Sequence, residues 1–212
     1  MTILLKFGEE KLLEGEYIIC QPDVSEKVFW DYVNEDLNCE LINGNLIIHS
    51  PASEEHEDIF SYLNTVFRLY LEKNKAGKMY GSRFIMRLSK KWNPEPDLFI
   101  VLPNNYSNIK DTYFDGPADL VIEILSKSTR ELDLEKKLPK YLDSGVKEVW
   151  IIDPEKKELT IYHKTNQEKY NDPQSDQFVK STVLPEFNFR IKWLWHREEY
   201  PVIDILKELI DL

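Results

Sequence analysis

Hydrophobic and polar positions change period several times along the chain, and each change predicts an element. Asp119-Leu-Val-Ile-Glu-Ile-Leu-Ser126 is an aliphatic run broken by one acid, Glu123. Such a run reads as a buried strand. Alternation puts Leu120, Ile122 and Ile124 on one face and Val121, Glu123 and Leu125 on the other. A carboxylate in that place needs a cation, a metal or a donor beside it, because an unpaired buried charge is costly. After the strand, Ser128 and Glu131 have capping-box spacing and predict a helix start. Leu134, Leu138 and Tyr141 recur at helical spacing, and Lys137 falls in the same stripe, one turn beyond Asp133. Pro139 lies inside this helix and predicts a kink or a break, since it removes a bond to Glu135.

The same reading extends along the chain. Asp23 with Glu26 predicts the cap of a short helix carrying Val28 and Phe29. Asn43-Gly44 between apolar runs predicts a hairpin, since both turn positions tolerate positive φ. Ser53 caps a long helix to about Asn74, with Ile59, Leu63, Val66 and Tyr70 inward and His56 on the same stripe. Residues 78–88 turn to period two, with Phe84, Met86 and Leu88 opposite Arg83, Ile85 and Arg87. Pro94 and Pro96 pin the entry to a strand that starts at Asp97. Residues 103–118 read as a surface loop, and Gly145 as a helix stop. Strands follow at 146–152 and 159–163, turning at Asp153-Pro154. Residues 164–177 read as loop, 178–183 and 187–191 as closing strands, and 201–212 as a short helix with Ile205 and Leu209 inward.

Composition sets limits. The 212 residues suit one domain, and 42% hydrophobic with 31% charged residues is a globular balance. No apolar run is long enough to cross a bilayer, and the opening Met-Thr-Ile-Leu-Leu-Lys-Phe-Gly lacks signal-peptide pattern. Cys20 and Cys39 make neither a disulfide framework nor a zinc spacing, so a cytoplasmic location is the default expectation. The net charge of −11 argues against broad attraction to nucleic acid. A nucleic-acid enzyme with this charge needs a local basic strip, a bound cation or a partner.

The chemistry follows from spacing. Asp97 precedes Glu123 by 26 residues, and neighbouring strands would set the two carboxylates side by side. Two carboxylates with waters suit Mg²⁺ or Mn²⁺, which lowers the pKa of a bound water and polarises phosphoryl oxygen. A nearby lysine, Lys137, can orient that water or stabilise charge developing on phosphate. There is no nucleophile elbow, phosphate-binding glycine loop or dinucleotide fingerprint. Each residue alone has a plainer reading. Glu123 can pair with Lys137, Asp97 with Arg83 or Arg87, Lys137 can snorkel, and His56 can be a packed histidine.

The ordered set resembles the Uma-type endonuclease family, a branch of the PD-(D/E)XK nuclease superfamily. It comprises Pro96-Asp97, Val121-Ile-Glu123-Ile-Leu-Ser126, Ser128-Thr-Arg, Asp133, Lys137, Tyr141, Gly145-Val and Glu148-Val-Trp-Ile-Ile-Asp-Pro154. Glu40-Leu-Ile-Asn-Gly44, Ser50-Pro51, His56 and Val183-Leu-Pro185 extend the match over about residues 40–195. The resemblance implies an α/β fold of the α+β type: a mixed central β-sheet flanked by helices, with a restriction-endonuclease-like core and N- and C-terminal extensions. It implies Asp97 and Glu123 as ligands of Mg²⁺ or Mn²⁺, DNA as substrate and a homodimer as a plausible assembly. The superfamily's usual lysine would come two residues after the glutamate, where this chain has Leu125. Lys137 takes its role by position, with Lys127 as the alternative; Glu40 and His56 would complete the site. A non-catalytic binding module on the same fold and a phosphohydrolase of small molecules are the competing expectations.

Overall fold

The computed structural model describes residues 17–33, 38–81 and 83–210, so the opening stretch read above lies outside them. In chain order the elements are β1 (Ile18–Gln21), α1 (Glu26–Tyr32), β2 (Cys39–Ile42), β3 (Asn45–His49), α2 (Glu54–Asn74), β4 (Lys78–Gly81), β5 (Ile85–Arg87), β6 (Trp92–Asn93) and β7 (Leu98–Val101). A 3-10 turn (Pro103–Asn108), β8 (Tyr113–Asp115), β9 (Leu120–Ile124), a π-helical turn (Leu132–Lys137), α3 (Leu138–Ser144) and β10 (Glu148–Asp153) follow. β11 (Glu158–Tyr162), β12 (Gln167–Tyr170), α4 (Ile191–Trp195) and α5 (Val202–Ile210) complete the order. No described helix is long and apolar enough to cross a membrane.

The central sheet runs β12-β11-β10-β9-β7-β4. β9 and β10 are parallel, while the other neighbours pair antiparallel, so the sheet is mixed. The parallel pair is joined by the π turn and α3, because parallel strands need a crossover. Strand alternation divides the core as the sequence pattern requires. Leu120, Ile122 and Ile124 join Ile59, Leu63, Val66 and Phe67 of α2 on one face. Val121 and Leu125 join Leu138 and Tyr141 on the other, and this is the face Glu123 shares. A second sheet, β1-β3-β2-β6, carries Glu40 on fully buried β2.

Local signals explain the elements they predict. Asn43 and Gly44 take φ of 52° and 79° at the β2–β3 turn, the conformation that Asn-Gly tolerates best. The Ser53 hydroxyl accepts from the His56 N–H and starts α2, which ends on Lys75 in the left-handed region. Gly81 lets β4 lie against the start of β7, since a Cβ there would collide with the Asp97 carbonyl.

Several expectations are corrected. Ser25, not Asp23, caps α1: Asp23 sits at φ 57°, and the Ser25 hydroxyl accepts from the Val28 N–H. The cap after β9 is Ser126, not Ser128. Its Oγ accepts from the Thr129 N–H and its carbonyl from the Arg130 N–H. The period-two stretch at 78–88 divides into β4 and β5, because Arg83 between them sits at φ 75°, outside the extended region. Residues 164–177 contain β12, a polar edge strand whose inward residue is Tyr170. Residues 178–191 form no closing strands. Phe178 and Arg190 make one bridge, and the Thr182 and Val183 N–H groups donate to the Glu148 side chain rather than to a strand. At Pro139 two short helical elements meet, one of the two expected outcomes: the π turn ends at Lys137, and proline occupies the first turn of α3, where its missing N–H is tolerated.

Candidate active site

β7 and β9 pair antiparallel with Leu98 opposite Ile122, so Asp97 falls opposite Glu123 at the strand ends. The two are linked through backbone. The Asp97 N–H donates to Glu123 Oε2 at 3.2 Å, and the Ile124 N–H donates to Asp97 Oδ2 at 2.7 Å. From the first turn of α2, His56 Nε2 lies 3.2 Å from Asp97 Oδ1. The cap on Ser53 therefore has a second consequence: it fixes the turn that aims His56.

Lys137 enters from the opposite side. The N–H of Leu138 bonds to the carbonyl of Asp133, five residues back, which is the π spacing. Asp133, Lys137 and Tyr141 all remain buried through this change of pitch. Lys137 Nζ lies 2.8 Å from Glu123 Oε1, 3.2 Å from Asp133 Oδ1 and 3.4 Å from Glu40 Oε2. Glu40 is held in turn by the Glu95 N–H at 3.1 Å and by His49 Nε2 at 3.1 Å. The Tyr141 hydroxyl donates to Glu123 Oε1 at 2.6 Å. Asp97, Glu123, Asp133, Lys137, His56, Glu95 and hydroxyl residues including Ser126, Ser128 and Thr129 line a cleft of about 100 Å³.

Electrostatics in this cleft are one-sided. Burial raises the Glu95 carboxyl to about 8, and the charge of Glu40 adds to it while Lys137 opposes it. Burial also raises Glu123 and Asp133, against the pull of Lys137. Glu40 behaves differently: burial opposes its charge, but Lys137, His49 and the Glu95 N–H outweigh burial and hold it down to about 2. Lys137 stays charged, because its carboxylate neighbours overcome the cost of burial. His56 is raised too; burial would lower it, but the bond to Asp97 and the nearby acids prevail.

A family model described as "Putative restriction endonuclease" and named Uma2 matches residues 26–192. The chain belongs to the Uma2 family. Among solved structures, a protein described as a putative nuclease from Anabaena variabilis is similar in fold at 19% identity, with a TM-score of 0.71. The match covers 81% of this chain and 97% of that one. No curated protein matches the chain. The Uma2 chain thus has a restriction-endonuclease-like core: a mixed sheet flanked by helices.

Within this Uma2 core the structure brings Asp97, Glu123, Lys137, Glu40 and His56 together. Lys127 stays on the surface, exposed and 3.9 Å from Glu155. Arg87 is not the partner of Asp97; it bonds Glu26 and Asp115. Sequence reasoning passed over Glu95, His49 and the hydroxyl of Tyr141 as site groups. A signal for Glu95 existed, since it lies two residues before Asp97 and period two turns both the same way. For His49 the Asn43-Gly44 hairpin was the signal, since it folds β3 back along β2 and brings His49 to Glu40 nine residues away; for Tyr141 the partner lies across the crossover from β9, which no local pattern carries.

Among the described residues no three His, Cys, Asp or Glu side chains are arranged to enclose a metal ion by themselves. The carboxylates of Asp97 and Glu123 both line the cleft. The side-chain Oε2 of Glu95 is buried without a hydrogen-bond partner.

Proposed function

We propose that this protein is a divalent-cation-dependent nuclease that hydrolyses phosphodiester bonds in DNA. The observation that carries the reading is the meeting of two carboxylates and a buried ammonium in one cleft, from β7, β9 and the π turn. The donor set fits Mg²⁺ or Mn²⁺. It offers hard oxygens, and Mg²⁺ keeps several waters rather than requiring an all-protein cage. The acids also outnumber the cations that face them, so burial and mutual repulsion drive several carboxyls up. A divalent cation relieves that repulsion.

Asp97 and Glu123 would hold the ion. Bound there, it supplies a water of lowered pKa and a polarised phosphoryl oxygen. The chain's residues do the rest. The Ile124 N–H and His56 fix both oxygens of Asp97, and the Asp97 N–H fixes Glu123. Lys137 keeps its proton and offers positive charge to the phosphate as negative charge develops. Ser126, Ser128 and Thr129 line the cleft as neutral donors for phosphate oxygens.

One observation favours a second reading, a non-catalytic module: Lys137 already meets three carboxylates and forms a closed ion-pair network with them. Cleavage separates the two. Plasmid and branched DNA are incubated with Mg²⁺ or Mn²⁺ and wild type or Asp97→Ala. The nuclease reading expects cutting that needs the ion and falls at least about a hundredfold in the variant, equivalent to about 2.7 kcal/mol of transition-state stabilisation. Equal activity in both proteins overturns it.

A further inference from the structure

Glu123 owes its orientation in part to a residue that the sequence pattern assigns to the core. Tyr141 is fully buried on α3, its ring packed in the same apolar cluster as Val121 and Val149. Its hydroxyl is what departs from core packing: it donates to Glu123 Oε1 at 2.6 Å, the oxygen that also meets Lys137 Nζ at 2.8 Å. Oε2 accepts the Asp97 N–H at 3.2 Å. Each carboxylate oxygen presents two lone pairs. Tyr141 and Lys137 engage both on Oε1, and Oε2, which accepts the Asp97 N–H, keeps one.

We propose that Tyr141 is a positioning residue: with Lys137 it occupies Glu123 Oε1 and so leaves Oε2 as the oxygen offered to a cation shared with Asp97. This inference rests on the metal-binding reading above. Groups that orient a metal-binding carboxylate through hydrogen bonds commonly tune metal affinity by about 10–100-fold. The phenol also keeps Lys137 from being the sole donor on Oε1, so the ammonium can turn toward substrate without releasing Glu123.

Tyr62 supplies a control with matching chemistry. Its hydroxyl is buried too, but it donates to the backbone carbonyl of Tyr200 at 3.2 Å, far along the chain from any site acid. Mn²⁺ binding is measured by calorimetry on the whole protein for wild type, Tyr141→Phe and Tyr62→Phe, with thermal melting alongside. Phenylalanine keeps the ring and deletes the hydroxyl. The expected result is a Mn²⁺ affinity about tenfold or more weaker in Tyr141→Phe and unchanged in Tyr62→Phe. Unchanged affinity in Tyr141→Phe overturns the role of Tyr141 and leaves the nuclease reading intact. Equal weakening in both variants also overturns it, as a generic loss of rigidity. Absence of Mn²⁺ binding in wild type overturns the metal site and this inference together. If Tyr141→Phe does not fold, NMR of the wild-type protein decides: the buried Tyr141 hydroxyl proton shifts on adding Mg²⁺, and a stationary resonance contradicts the proposal.

Discussion

Two buried glutamates stand on the adjacent parallel strands β9 and β10, and they lead different lives. Glu148 is fully buried and accepts from the Trp150 indole N–H at 2.6 Å, the Thr182 N–H at 2.7 Å and the Thr182 hydroxyl at 2.8 Å. These partners are neutral, and those from Thr182 tie the irregular 181–184 segment to the sheet. Glu123 is equally buried, yet its partners include Lys137, and it opens onto a cleft crowded with other acids. Burial of a carboxylate is therefore not a functional signal in itself. Neutral donors turn it into a structural clamp, whereas a shared ammonium and acidic neighbours leave it a surplus of negative charge that a cation can satisfy.

The sharpest way to break this comparison is to remove the shared cation. Lys137→Met leaves Glu123, Glu40 and Asp133 without their common partner, and losing one member of a buried pair costs about 3–5 kcal/mol. Chemical denaturation in EDTA should show a loss of that order, together with abolished DNA cutting. An unchanged midpoint would mean that the acids are solvated or protonated and do not depend on the lysine.

The next test acts on the other glutamate. Glu148→Leu keeps side-chain volume but strands the Trp150 and Thr182 donors, at about 1–3 kcal/mol for a buried donor left without a partner. Stability should fall by about that amount, while cutting per folded molecule stays at the wild-type level. Lost activity in the folded fraction would show that the two glutamates are not functionally separate.

The last test concerns pH. Glu95 is raised from 4.5 to about 8 by burial first and then by Glu40. A carboxyl raised on folding contributes stability that is fully present below its unfolded pKa and lost as pH climbs toward the folded value. Metal-free wild type should therefore lose melting temperature between about pH 4.5 and 8. Glu95→Gln, which cannot ionise, should lose less over the same range. Parallel melting curves would rule out the raised carboxyl.

The elements legible in the chain are those fixed by neighbours in sequence. Asn43-Gly44, the Ser53 cap, the β9 alternation and the stripe carrying Lys137 depend on contacts a few residues apart, and the structure repeats them. The pairing of Asp97 with Glu123 was legible for a related reason: two adjacent antiparallel strands bring their ends together. What was not legible needed partners from elsewhere. Phe178 to Ile191 has strand-like composition, but Glu148 takes the Thr182 and Val183 N–H groups at its middle, and that carboxylate lies more than thirty residues upstream. Pro139 marked the meeting of two helical elements, but not the change of pitch between them. One π turn shifts the phase, keeps Lys137 inward and lets the proline start α3. Tyr141 was readable as an apolar ring; its hydroxyl gains meaning only once Glu123 is seen above it.

The central claim is that Asp97 and Glu123 present their oxygens to one divalent cation. Crystals soaked in Mn²⁺ and measured at the manganese absorption edge test it most directly. The account requires an anomalous peak in contact with both carboxylates, lost in Asp97→Ala crystals. A clean cleft at saturating Mn²⁺, or a peak held by other residues, would contradict it.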